Sequence, residues 1–221
     1  MRIGVVHATL NAVEPLVKAL KEQDSSVEVC NFVNEELLFH ANQSNGVDDW
    51  GLRNFYRLFM QAAESSVDGI IVACSLYSTY VEEASKLTNK PVIAIDQPMV
   101  EAAACSGKKI GILATTASAG PAEEKKIQKE ASRRGMTADT MVAVRPEAFK
   151  ALKGGDEWVH DQMLYDAAKQ LTDQGCELIV LSQITMACAG AKIRKGGMEI
   201  LTSPETGAKY MINEIKKRER K

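Results

Sequence analysis

No apolar run in this sequence approaches the length of a bilayer crossing, and the N-terminus does not have the shape of a secretory leader. Met1 and Arg2 lead straight into Ile3-Gly4-Val5-Val6, and polar residues follow soon after. Net charge is scarce as well: 27 basic residues against 29 acidic ones leave a balance of −2, too weak a field to gather nucleic acid or coat an anionic membrane. The local exception is the basic run Lys216, Lys217, Arg218, Arg220, Lys221, which reads as a solvated helix end whose cations suit the helix dipole. The five cysteines are odd in number and form no C-x-x-C pair, so neither a disulfide framework nor a zinc site is indicated. A reducing cytoplasm is the expected home. Also missing are a G-x-G-x-x-G after a strand, a P-loop, a G-x-S-x-G elbow and any His/Asp/Glu group at metal-ligand spacing. No cofactor and no metal are expected.

What is present is alternation. With 45% apolar residues the chain has enough to bury a substantial core. Short apolar runs read as strands over 2–7, 27–32, 69–73, 91–95, 109–114, 140–144, 178–181 and 200–202. Amphipathic stretches between them read as helices: 13–22 with Asn11 as its cap, 52–65, 80–87, one starting at 100, 121–134 with Glu123 and Glu124 in its first turn, 157–174 and 205–217. Strands that alternate with helices predict parallel sheets with right-handed crossovers, an α/β fold.

The chain also repeats itself. Arg2-Ile3-Gly4-Val5-Val6 returns as Lys109-Ile110-Gly111-Ile112-Leu113, Gly69–Cys74 lines up with Leu178–Gln183, and Ile95-Asp96-Gln97-Pro98 with Leu201-Thr202-Ser203-Pro204. Three matches in one order at nearly one offset predict two similar halves, 1–107 and 108–221, with the chain returning to the first at its C-terminus.

Ligands of parallel sheets bind beyond the carboxyl ends of the strands. The residues just past the apolar runs are His7, Ala8 and Thr9; Cys74 and Ser75; Asp96 and Gln97; Thr115 and Thr116; Ser182 and Gln183; Thr202 and Ser203. This small, polar, nearly uncharged set suits a small ligand held by hydroxyls and backbone N–H groups. Cys74 stands out because it ends a buried strand just before a helix, where backbone N–H groups stabilise a thiolate or a bound carboxylate. The competing reading is a small buried hydrophobe. His7 is either a hydrogen-bonding group of the site or an imidazole satisfied locally. Asp96 suits a helix cap. Cys30, Cys105, Cys176 and Cys188 read as packing residues, and His40 and His160 as surface groups.

The segments Ile3–Thr9, Ile71–Ser75, Lys109–Thr115 and Ile179–Gln183 together resemble the aspartate/glutamate/hydantoin racemase superfamily over nearly the whole chain. The resemblance implies two Rossmann-like halves about a pseudo-twofold axis with the site between them. It also implies cofactor-independent chemistry in which two cysteines face opposite sides of the substrate's α-carbon. Cys74 matches the first of these. Gln183 stands where the second belongs, and Cys188 lies too far beyond for an alignment slip. An amide does not exchange protons near neutral pH, so two-base racemisation is in doubt, while it can hydrogen-bond an enolate oxygen. Decarboxylases and cis–trans isomerases belong to the same superfamily. The expectation is an isomerase or decarboxylase acting on a small carboxylate or amino-acid-like ligand. Cys74 is catalytic in it, and His7, Thr9, Ser75, Thr115, Thr116 and Gln183 bind substrate. The alternative is a binding protein with the same fold and no chemistry. No nucleic acid or membrane partner is expected; a homo-oligomer is compatible with this reading.

Overall fold

The computed structural model describes residues 1–220; Lys221, the last of the basic run, lies outside them. Its elements are β1 (Arg2–His7), α1 (Val13–Gln23), β2 (Glu28–Val33), α2 (Glu36–Gln43), α3 (Asp49–Glu64), β3 (Gly69–Val72), α4 (Val81–Ser85), β4 (Val92–Ala94) and α5 (Gln97–Ala104). There follow β5 (Ile110–Ala114), α6 (Ala119–Arg133), β6 (Thr140–Val144), α7 (Pro146–Lys153), α8 (Glu157–Asp173), β7 (Leu178–Leu181), α9 (Gly190–Lys195), β8 (Ile200–Thr202) and α10 (Ser203–Glu219).

The strands form two four-stranded sheets, ordered β2-β1-β3-β4 and β6-β5-β7-β8. Every pairing in both is parallel. The two orders are the same order, so the internal repeat of the sequence is a repeat of topology. The chain divides into two compact units, Met1–Gln97 with Pro204–Lys221, and Pro98–Ser203. All but the first residue of α5 therefore belongs to the second unit, and all but the first residue of α10 to the first.

In the second unit, side chains alternate across the sheet with period two. Leu113, Ile179 and Leu181 join the cluster under α8, with Leu164, Ala167, Ala168 and Leu171. Ile110, Ile112, Leu178 and Val180 join the opposite cluster, with Val100, Ala103, Ile127 and Ala131. Both faces are covered, which is why β7 reads as a continuous apolar run. In the first unit α3 turns Phe55, Leu58, Phe59 and Ala62 onto Val6, Ile70 and Val72. Asp48 caps that helix, accepting from the Gly51 N–H at 2.9 Å.

Helix α10 lies close against the first unit's sheet. A Cβ added at Gly69 would meet Met211 Sδ at 2.5 Å, and one at Gly207 would meet the Ile95 carbonyl oxygen at 3.0 Å. Glycine at these positions is what permits the approach. Lys216 pairs with Asp24 at 3.1 Å, and Arg218 donates to the Asn89 carbonyl at 2.7 Å. Ser26 first, and Lys216 second, hold the Asp24 carboxyl down to about 2. With Lys217 paired to Glu214 at 2.7 Å, three of the terminal basic residues have partners rather than lying loose in solvent.

Several local readings need correction. Asn11 does not cap α1: Thr9 caps a 3-10 turn over Leu10–Ala12, accepting from the Asn11 N–H at 3.4 Å. Helix α6 starts at Ala119, so its first turn holds no acidic residue and Glu123 is buried. Helices α2, α7 and α9 lie where the sequence pattern predicts no helix. Each is short, and α2 buries only Leu37 and Ala41 while Phe39 on the same helix is exposed, which blurs the periodic signal. Among the described residues no helix is long and apolar enough to cross a membrane.

Candidate functional site

An open parallel sheet offers its ligand crevice where the strand order reverses, at the carboxyl ends. In the first unit that point lies between β1 and β3, where Val6 pairs with Val72 and the Ala73 N–H donates to the Val6 carbonyl at 2.8 Å. The loops carrying His7-Ala8-Thr9 and Cys74-Ser75 leave from adjacent strands there. In the second unit the corresponding point lies between β5 and β7, which release Thr115-Thr116 and Ser182-Gln183.

Cys74 is half-buried and packs against the core cluster that includes Tyr77. The Tyr77 N–H donates to the Cys74 carbonyl at 3.0 Å, folding the loop into a tight turn. Tyr77 anchors it: the ring stacks on Phe55 at 4.9 Å, the hydroxyl donates to the Leu37 carbonyl at 3.3 Å, and burial pushes the phenol up to about 12. Asp96, at the end of β4, accepts from the Ser78 hydroxyl at 2.8 Å, a second tether for the same loop. The helix expected over 80–87 is instead a 3-10 turn, Ser78–Tyr80, followed by the five residues of α4. Its dipole is correspondingly short. Ser75 is exposed and Thr9 half-buried.

His7 is wholly buried. Its Nε2 lies 3.0 Å from Asn31 Oδ1, which can only accept, so Nε2 carries the proton and Nδ1 is left as a bare acceptor. That Nδ1 has no hydrogen-bond partner within the described residues. Burial pulls the His7 pKa down, outweighing the Asn31 contact that raises it, and keeps the ring neutral.

In the second unit Gln183 Oε1 accepts twice from Thr115, from the backbone N–H at 2.7 Å and from the hydroxyl at 3.0 Å. This double bond of contacts fixes which way the amide faces. The Gln183 Nε2 is left to donate elsewhere, and Thr115 acts on Gln183 with both of its donors. Thr116 is half-buried. Neighbouring Ser182 has a buried hydroxyl without a partner among the described residues. Each switch point therefore holds one orphaned buried polar atom, and an orphan of this kind costs about 1–3 kcal/mol unless something meets it.

The second unit contains a convergence that spacing did not announce. His160 and Asp161 stand in the N-terminal part of α8, and Cys188 lies in the 3-10 turn Ile184–Ala189 that follows Gln183. His160 Nδ1 is 2.8 Å from Asp161 Oδ1, and Cys188 Sγ is 3.4 Å from that oxygen and 3.7 Å from Nδ1. His160 is wholly buried, not a surface group. The signal was available: it stands one turn before Leu164 on the stripe that continues through Ala167, Ala168 and Leu171. Cys105 and Cys188 are exposed, against the packing role expected of them, while Cys176 is buried.

Comparison with known proteins bears on the whole chain. The family model described as Asp/Glu/Hydantoin racemase matches residues 3–210. Among solved structures, an aspartate racemase homologue from Pyrococcus horikoshii OT3 is 16% identical with a TM-score of 0.72, covering 97% of this chain and 99% of that one. The aspartate racemase of Picrophilus torridus is 13% identical with a TM-score of 0.73, covering 97% and 94%. The allantoin racemase of Klebsiella pneumoniae is 17% identical with a TM-score of 0.68, covering 96% and 86%. At these identities the likeness is one of fold. No curated protein matches the sequence.

Proposed function

The chain belongs to the Asp/Glu/hydantoin racemase family, and from that premise we propose that it is an enzyme of cofactor-independent carbon-acid chemistry on a small carboxylate, with Cys74 as the proton carrier. The observation that carries this reading is the content of the two switch points: a thiol on a tethered loop and an orphaned neutral imidazole nitrogen at the ends of adjacent strands in one, and an amide held in a single orientation in the other.

In this reading the Cys74 thiolate takes the proton from the carbon next to the carboxylate, or the thiol returns a proton to an enediolate left by loss of carbon dioxide. Charge then gathers on the carboxylate oxygens. Gln183 Nε2–H donates to one of them, as an oxyanion-hole donor would. Thr115 holds Gln183 in place and so acts as a positioning residue. Thr9, Ser75 and Thr116 supply hydroxyls, and neutral His7 supplies the acceptor Nδ1 for an N–H of the ligand. The amide at Gln183 does not carry protons near neutral pH. One-sided exchange or decarboxylation therefore fits better than free interconversion of two enantiomers.

The test is a panel of amino acids, malonates and hydantoins incubated in deuterated water and followed by NMR. The expected result is deuterium at the α-carbon, or release of carbon dioxide, abolished by Cys74→Ser. A panel that shows saturable binding but neither exchange nor decarboxylation would favour the second reading, a carboxylate-binding protein without chemistry. The replacement of the second family cysteine by Gln183 keeps that reading in play.

A further inference from the structure

We propose that Cys188, His160 and Asp161 form a binding site for a thiophilic divalent cation of the Zn²⁺ class. Among the described residues these three side chains offer one donor atom each, and the three atoms lie within 4.8 Å of one another. The donor set is mixed: a thiol sulfur, an imidazole nitrogen and a carboxylate oxygen. Sulfur with imidazole selects Zn²⁺ and its softer neighbours over Mg²⁺ or Ca²⁺, which take oxygen shells.

The spacing suits such an ion. Bonds of about 2.0–2.3 Å in a tetrahedral shell put neighbouring donors roughly 3.3–3.6 Å apart. Here the sulfur stands 3.4 Å from the oxygen and 3.7 Å from the nitrogen. The nitrogen and oxygen are closer, at 2.8 Å, the distance of a direct hydrogen bond. Entry of the ion replaces that bond and requires the nitrogen and oxygen to part by roughly 0.5 Å. The burial of His160 holds the ring in place, and the exposure of Cys188 gives the ion a way in.

Charge points the same way. A thiol and a carboxylate crowded together are a poor arrangement for a nucleophile and a good one for a dication, which reverses the local balance and takes the sulfur as thiolate. A water can fill the fourth position. The ion would pin the 3-10 turn Ile184–Ala189 to α8. That turn begins at Gln183, whose carbonyl accepts from the Met186 N–H at 3.0 Å.

Co²⁺ is the probe. Stripped of metal and fully reduced, the protein should take up one equivalent of Co²⁺ and develop the near-ultraviolet thiolate-to-cobalt charge-transfer band with the visible bands of a tetrahedral ion. Zn²⁺ should bleach both. Cys188→Ser should abolish the charge-transfer band, Cys74→Ser should leave it, and Asp161→Asn should weaken binding at least about tenfold. Circular dichroism and melting of each variant establish that it is folded. In parallel, Zn²⁺ should protect Cys188 from alkylation as read by peptide mapping. Absence of the band, or its persistence in Cys188→Ser, would overturn the site. Neither outcome touches the assignment of Cys74, which is read by exchange and decarboxylation.

Discussion

Gln183 is held by two hydrogen bonds from one residue, Thr115. If its Nε2 serves the substrate, Gln183→Glu keeps the anchor and loses the donor, placing an anionic oxygen where the enediolate charge develops. Loss of one oxyanion donor costs about 10²–10³ in kcat, so deuterium exchange should fall by about that factor while the fold melts unchanged. Gln183→Cys returns a second proton carrier, and aspartate or glutamate should then racemise where the unaltered protein does so little or not at all. Two-way racemisation by the unaltered protein near the median enzyme rate of about 10 s⁻¹ would refute this assignment. His7 gives a prediction in pH. Its folded pKa is lowered, so between that value and the unfolded one, about 6.5, the unfolded chain binds the extra proton and stability rises with pH. The His7 contribution is therefore intact above about pH 6.5 and is lost as pH falls through the folded pKa. Denaturant titrations should show a shallower acid loss in His7→Gln than in the unaltered chain. Among the thiols, access and ionisation part company. Cys105 and Cys188 are both exposed, yet Cys188 is held at about 12, so iodoacetamide should label Cys105 well before it. Cys74 should be labelled in the native state and shielded by a saturating carboxylate; labelling of Cys74 only after unfolding would remove the main support for its role.

At the scale of elements, strands were the most legible part of the sequence. Leu178–Leu181 is a continuous apolar run because helices cover both faces of the sheet, and the parallel α/β class follows from the alternation of strands with helices. Short helices were not legible, because six to eight residues do not complete enough turns for a stripe to emerge: α9 buries only Gly190 and Ile193. The places to look for a site could be read from the ends of the strands. The contacts that orient its residues could not, since the Thr115–Gln183 and His7–Asn31 bonds join segments far apart in the chain. The same distance hid His160 and Asp161 from Cys188. Packing of α10 yields a sharper test. Gly207→Ala gains about 1 kcal/mol of helix propensity, but the new Cβ meets the Ile95 carbonyl oxygen at 3.0 Å, and backbone cannot rotate aside. Overpacking of about 1–3 kcal/mol should outweigh the gain, and thermal melting should show a lower Tm; a raised Tm would mean that α10 can shift.

The whole molecule is one chain that visits its first unit, builds its second from a single contiguous stretch, and then goes back. Residues 98–203 contain everything assigned to the second unit, whereas residues 1–97 lack a helix of the first. The 98–203 fragment should therefore fold on its own with a cooperative transition. The 1–97 fragment should not, until a peptide of residues 204–221 is added; cooperative folding of 1–97 alone would show that α10 is dispensable.

The return of α10 also sets an order in time. A ribosome delivers the first unit's four strands early, yet Met211 and Ile215, whose side chains fill the space over Gly69, are made only after the whole of 98–203. Until then the nascent first unit lacks the helix that packs over Gly69, while the second unit, begun later, has been synthesised in full. The half that is translated first is thus the half that is finished last. Chains that end at residue 203 and are stalled behind an added linker long enough to clear the tunnel should show 98–203 protected from protease while 1–97 is still cut, and a chaperone that holds apolar surface should favour the same species.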